Sequence, residues 1–198
     1  MEQIVVGEFE KKKVMLCWFS EDNTVEEYEV LLTGEGAEVA VLGVFLGQGN
    51  FEYKNYVRVV HRGKNTRARI YARGVVFDKS RLDFSGMLRV ERGAVGTDTY
   101  FDARFMILGN EAKAHTFPGL EIEENEIAKG GHAATVARMR EEEMFYMMSR
   151  GLSRETAYAL LVSGYFESVL SQIEDAQESQ VRENLKLKLD KYLGVIDA

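Results

Sequence analysis

"GKNTRARIYARGVVFDKSRLDFSGMLRV", residues 63–90, is a series of short apolar runs broken by glycine. In Arg67-Ala68-Arg69-Ile70-Tyr71 every second side chain falls on one face, which is the period of a β-strand. The pattern extends outward as "VRVV", "ARIYA", "VVF", "MLRV", "TYFDARFMIL" and "LEIE". Glycines at 63, 74, 86, 96, 109, 119 and 130 separate these runs at roughly eleven-residue intervals, a fixed period of the kind repeat architectures show. Strand plus glycine turn allows either an antiparallel meander or a β-solenoid with two strands per coil. Hairpins favour Asn-Gly or Asp-Gly. Here the dipeptides are Arg-Gly, Ser-Gly, Val-Gly, Leu-Gly and Pro-Gly, which suit corners where one backbone approaches another. We read a solenoid. Before residue 34 the pattern weakens, and "EFEKKKVMLCWFS" and "VEEYEVLLTG" read as two strands capping the first coil.

Near residue 135 the composition changes. "REEEMFYMMSRG" opens on Glu141 to Glu143, which complement a helix N-terminus, and ends at Gly151, a C-terminal cap. Ser153 is positioned to N-cap a second helix with Glu155 in its first turn. Its apolar positions Ala157, Leu160, Leu161, Gly164 and Tyr165 keep helical spacing. "AQESQVRENLKLKLDKYLG" predicts a third helix, with Val181, Leu185, Leu189 and Tyr192 on one stripe. The expected division is a β unit over 1–135 and a helical unit over 136–198.

The 198 residues, 45% apolar and 29% charged, suffice for a core without staples. No window approaches the roughly 20 apolar residues of a membrane span. "MEQIVVGEFEKKK" has no signal pattern, so a cytoplasmic location is expected. A net charge of -7 argues against nucleic acid as a partner. Arg58, Arg62, Lys64, Arg67, Arg69 and Arg73 form a basic patch, read as a solvated strand face. Cys17, the one cysteine, sits between Leu16 and Trp18 and reads as a buried apolar strand residue. "GEGAEVAVLGVFLGQG" is not a phosphate loop, because neither nucleotide-binding glycine pattern is present.

"AHTFP" (114–118), "HAAT" (132–135), "EEEMFYMMSRGLS" (141–153) and "LVSGYF" (161–166) together resemble the C-terminal signature of the SufB/SufD family of iron–sulfur cluster assembly proteins. The opening stretch is similar to that family's core, and the resemblance covers roughly residues 34–170 in the family's order. It implies a right-handed parallel β-helix followed by a C-terminal helical domain. It also implies an ABC-type ATPase partner, SufC, on the C-terminal helices. Pairing would run through the end of the β-helix, as a homodimer or with a SufB/SufD-like paralogue. Phe145, Met148, Arg150 and Tyr165 are the partner-binding residues this implies. SufB-type members carry a cysteine at the position of Ala112 and an acidic residue at that of Glu141. SufD-type members have a Cys-Ser-His-Gly-Ala-Thr motif whose histidine corresponds to His132 and whose cysteine corresponds to Gly130. The histidine and the glutamate are kept, and both cysteines are missing.

A cluster wants thiolate ligands, which His132 and Glu141 do not supply. Two copies pooling these residues would better suit a single Fe²⁺ or Zn²⁺. His132 reads either as a metal or acid–base residue, with a transient iron–sulfur cluster or iron at a subunit interface, or as a loop residue bonding a neighbouring carbonyl. Glu141 reads equally as an ordinary first-turn carboxylate. His115 is expected to satisfy backbone groups at a coil corner, and His61 to be an ordinary strand residue. The helix face bearing Met144, Phe145, Met147 and Met148 is core or docking surface. The expected function is a scaffold subunit rather than an enzyme. The alternative is a solenoid enzyme acting on saccharides or small acids through carboxylates such as Asp78, Asp83, Asp98 and Asp102. The expected homodimer would bury the region of "DARFMILG", Leu120 and Ile122, with Met106 and Ile122 as its probes.

Overall fold

The computed structural model describes residues 1–19, 21–171 and 176–193, with side chains of the last segment described over 179–190. Ten strands precede three helices: β1 (Glu2–Val6), β2 (Lys11–Trp18), β3 (Thr24–Leu32), β4 (Glu38–Gly47), β5 (Glu52–His61), β6 (Arg67–Val76), β7 (Arg81–Val90), β8 (Asp98–Ile107), β9 (Lys113–Ile122), β10 (Lys129–Arg138), α1 (Glu141–Ser149), α2 (Arg154–Leu170) and α3 (Ala176–Leu193). Odd strands stack as β1-β3-β5-β7-β9 and even strands as β10-β8-β6-β4-β2. Every pairing is parallel. The chain is therefore a two-sheet β-solenoid of five coils followed by helices.

The repeat is longer than the glycine spacing suggests. In-register partners are one coil apart, as with Lys11 on Glu38, Glu38 on Arg67, Arg67 on Asp98 and Asp98 on Lys129. "ARIYA" and "VVF" belong to one strand, β6, with Gly74 inside it. The glycines mark two different positions. At corners, a Cβ on Gly63 would lie 2.1 Å from the Gly34 carbonyl oxygen one coil earlier, so only glycine lets the corners nest. Mid-strand, a Cβ on Gly86 would lie 1.9 Å from the Phe101 ring. Gly86 makes room for the aromatic stack of Phe84, Phe101, Phe105 and Phe45 that fills the interior. The N-terminal strands are not separate caps. β2 and β3 pair in register with β4 and β5 and form coils themselves.

Beyond β10 the helix bounds follow the sequence reading closely, but the buried face of α2 is not the expected stripe: of Ala157, Leu160, Leu161, Gly164 and Tyr165 only Ala157 is buried and Leu160 is exposed, because Val162, Phe166, Val169 and Leu170 are the side chains turned to the sheet. Ser153 Oγ accepts the Thr156 N–H at 3.2 Å, and Gly151, at φ +91, ends the turn after α1. Val181, Leu185 and Leu189 are buried, and the side chain of Tyr192 lies outside the described residues. The helical unit does not sit on the last coil. Val162, Phe166, Val169 and Leu170 of α2 pack on the outer face of the even-strand sheet against Leu42, Val44, Leu46 and Val75. This explains why β4 is buried on both faces from Val41 to Gly47. Met106 also lies under the helices, so it does not probe the solenoid end.

Under α2 lies an ion pair. Arg73 donates to Asp102 at 3.0 Å, to the Ala72 and Asp102 carbonyls at 2.9 and 3.2 Å, and to Ser168 Oγ at 3.1 Å. Arg104 donates to the other Asp102 oxygen at 3.0 Å. The basic patch is thus not a free solvated face. Arg73 is buried, while Arg58, Arg62, Arg67 and Arg69 pair with Glu29, Glu91 and Asp98 on adjacent coils. Arg73→Met is expected to cost about 3 kcal/mol, because it leaves Asp102 buried with less compensation. Arg73→Met combined with Asp102→Leu is expected to return within about 1 kcal/mol of the parent. Urea midpoints of the two variants check this.

Candidate functional site at the open end of the solenoid

Among the described residues β9 and β10 are the last strands of their sheets and carry no further strand. Register with β7 and β8 fixes which side chains face the interior. They are Ala114, Thr116, Pro118, Leu120 and Ile122 from β9, and Gly130, His132, Ala134 and Val136 from β10. Up to Val136 none is an acid, lysine or arginine; the next position of the same face is Arg138, in register with Ile107 at the end of β10. Ile122 is 41% exposed and Val136 39%, although both stand on the interior face, because no sixth coil covers them. His132 lies over Phe101 on the same interior face and is exposed.

The motif residues divide between two edges of this end. Gly130 and His132 lie near the corner that joins β9 to β10, where a Cβ on Gly130 would meet Ile122 and Ile127 side chains at 3.2 Å. Ala112 is buried at the other edge, just before β9. There Arg138 donates to the Gly109 carbonyl at 2.9 Å, tying the end of β10 to that corner. Glu141 follows as the exposed first residue of α1. Six residues of strand separate His132 from Arg138, about 20 Å at roughly 3.3 Å per residue. His132 and Glu141 of one chain therefore do not share a site.

The remaining candidates are placed as follows. His115 is not at a corner. It stands on the outer face of β9, where Nδ1 bonds Asp83 at 2.8 Å beside the Phe117 ring. Cys17 points outward from β2 and is exposed rather than buried, and partial desolvation still pushes its thiol up to about 11. Among the described residues no three His, Cys, Asp or Glu side chains gather as a metal site. With alanine at 112, glycine at 130 and Cys17 on the first coils, one copy of this chain does not offer the thiolates a cluster needs.

The carboxylates of the enzyme alternative are each engaged. Asp98 pairs with Arg69, Asp102 with Arg73, and Asp83 with Arg81 and His115, while Asp78 accepts the Gly49 N–H. Asp98 and Asp102 are four strand residues apart, about 13 Å, beyond the roughly 9.5 Å limit for paired glycosidase carboxylates.

A second surface lies on α1. Met144 is buried, while Phe145, Tyr146 and Met148 are exposed. Arg150 lies over the Tyr146 ring, 5.3 Å from its centre. Arg140, Glu142, Glu143, Tyr146, Met147 and Leu161 line an open groove of about 840 Å³. Tyr165 instead packs toward the even-strand sheet, and burial raises its phenol far above the usual range. The sequence reading missed Tyr146, Ala134 and Val136. The signal for the last two was an interior strand face carrying no charge.

The fold and this open end define a parallel β-solenoid with a helical C-terminal unit. Residues 3–165 match the SufBD core domain of the SUF system of FeS cluster assembly, and the chain belongs to that family. It is similar to iron–sulfur cluster assembly SufBD family proteins of several organisms. Identity is 28% over 165 residues with the chloroplastic protein of Arabidopsis thaliana, covering 83% of this chain and 29% of that protein. It is 28% over 192 residues with a Synechocystis protein, covering 97% and 37%. With a Mycobacterium leprae protein it is 27% over 172 residues, covering 86% and 20%. The chain thus spans 37% or less of the length of these relatives. Among the described residues no helix is long and apolar enough to cross a membrane.

One titrating group inside the solenoid sets an acid limit on the scaffold. His61 is fully buried, and its Nδ1 shares a 2.8 Å hydrogen bond with Thr66. Desolvation pushes its imidazole down to about 4, the nearby Asp98 charge opposing this and Arg69 reinforcing it. The unfolded chain protonates near pH 6.5. Stability is therefore complete above about pH 6.5 and is lost as the pH falls toward 4, by on the order of 3 kcal/mol. His61→Leu is expected to flatten this dependence, measured as urea midpoints between pH 7 and 4.

Proposed function

We propose that this chain is a scaffold subunit of iron–sulfur cluster assembly that works as half of a pair and carries a SufC-type ATPase on its helical unit. The family match supports the assembly role, and the β9–β10 end supports pairing, being uncovered among the described residues and free of charge on its interior face up to Val136. Pro118 deprives β9 of one N–H, whereas β10 has no proline, so β10 is the better strand to extend. The simplest partner is a second copy across a two-fold axis. Antiparallel pairing centred on residue 133 would bring the two His132 side chains within about 10 Å on one interior face. Two imidazoles suit a single Fe²⁺ or Zn²⁺ better than a thiolate-bound cluster. When a cluster is the cargo, its cysteines would come from a paralogous partner. The exposed Phe145, Tyr146 and Met148 support docking of the ATPase at α1. A cytoplasmic setting belongs to the same reading.

Two measurements test it. Co-purification with a SufC-type ATPase is expected, and Phe145→Glu with Met148→Glu is expected to weaken it at least about tenfold, the scale of losing a buried apolar anchor. Failure of the folded parent to bind any such ATPase contradicts the docking. Light scattering is expected to show a homodimer that Ala134→Lys splits. A monomer at high concentration contradicts the pairing.

A further inference from the structure

At the N-terminal side of the described coils the strand edges are bare among the described residues. β1 and β2 are the first strands of their sheets, and β1 covers β3 only from Tyr28 to Leu32. Among the described residues the backbone edges of β1, of β2 and of residues 24–27 therefore carry no strand. By backbone geometry this end should accept another strand as readily as β10 does.

Its side chains differ. Register places Glu2, Ile4 and Val6 of β1, Lys12, Val14, Leu16 and Trp18 of β2, and Glu26 of β3 on the interior face. Three of these are charged, whereas the interior faces of β9 and β10 carry one charge, Arg138 at the end of β10, which is turned to the Gly109 carbonyl. The Lys12 ammonium reaches across the mouth to the Val5 carbonyl at 2.7 Å and pairs with Glu10 at 3.1 Å. The Val6 carbonyl accepts the Thr33 N–H and so faces β3. Successive carbonyls alternate sides along a strand, so that of Val5 points to the free edge. Lys12 therefore occupies an acceptor that an incoming strand would need. On β3, in the same sheet as β1, Glu26 accepts hydrogen bonds from the Trp18 indole and the Tyr28 hydroxyl, which hold its carboxylate inside the mouth.

We propose that Lys12, seconded by Glu26 and Glu2, is an assembly-terminating guard that closes the N-terminal end of the solenoid to other strands. Inward-pointing charges on edge strands oppose edge-to-edge pairing, because docking another coil would bury them. With one end guarded and the other free, association stops at a pair. A head-to-tail filament, which needs both ends, does not form. This goes beyond the proposed pairing and does not depend on it.

The test uses the full chain in two backgrounds: the parent, and Ala134→Lys, which blocks the other end. Glu2→Val, Lys12→Val and Glu26→Leu are introduced together into each, and mass is followed by light scattering across concentration. One added association step is expected in both, a monomer becoming a dimer or a dimer becoming a larger species. A folded triple variant with the same mass as its background overturns the guard. If the triple variant does not fold, Lys12→Met with Glu26→Gln decides, since Met keeps the stem and Gln still accepts from Trp18 and Tyr28. Raised association supports the guard, and unchanged mass overturns it. A parent that is monomeric contradicts only the pairing at β10 and leaves this comparison intact.

Discussion

Each strand of the solenoid hydrogen-bonds to the strands one coil before and one coil after it, never to its neighbour in sequence. Interior coils satisfy their backbone on both sides, and only the first and last coils do not. Everything else follows from this stacking. Corners must nest, so Gly63 sits against Gly34 with no space for a Cβ. Interior side chains must form layers, so Gly86 yields to Phe101. Two ends are left with unpaired backbone, and the chain treats them differently. One is closed by Lys12, Glu2 and Glu26, and the other presents Leu120, Ile122, Ala134 and Val136 around His132.

The helical unit strengthens this asymmetry by where it packs. α2 covers the outer face of β4 and β6, fixed by an apolar cluster and by Arg73 reaching Ser168 and Asp102. Asp102 lies in register with Ala133 of β10, next to His132. The helices therefore leave the last coil uncovered while standing one strand away from it. Positions 112 and 130 are alanine and glycine, so neither edge of this last coil offers a thiolate of its own.

Much of the fold was legible in the sequence. Alternation in β5 to β8 and the absence of hairpin dipeptides pointed to stacked coils, and Ser153 and Gly151 marked helix boundaries as physical capping requires. The coil length was not legible from glycine spacing, because corner and interior glycines serve different purposes and interleave. β2 and β3 looked irregular because their outward and inward positions both carry charge, Lys12 and Glu26 among them. The same charges that obscured the strand pattern now mark the guarded end. Cys17 read as buried from its apolar neighbours, but they face the opposite side of the strand. The candidate site was legible as motifs only. That His132 and Glu141 lie on different edges depends on strand direction around the coil, which no local pattern encodes.

Amide hydrogen exchange tests the asymmetry most directly, since both ends are read in one experiment on the unmodified chain. Amides directed to the free edge of β10 exchange quickly when that edge is bare and slowly when it is paired. With rising protein concentration, protection is expected to appear across residues 129–138 while free-edge amides of residues 11–18 stay fast. Protection at residues 11–18 with none at 129–138 would contradict it, as would fast exchange at both edges at every concentration.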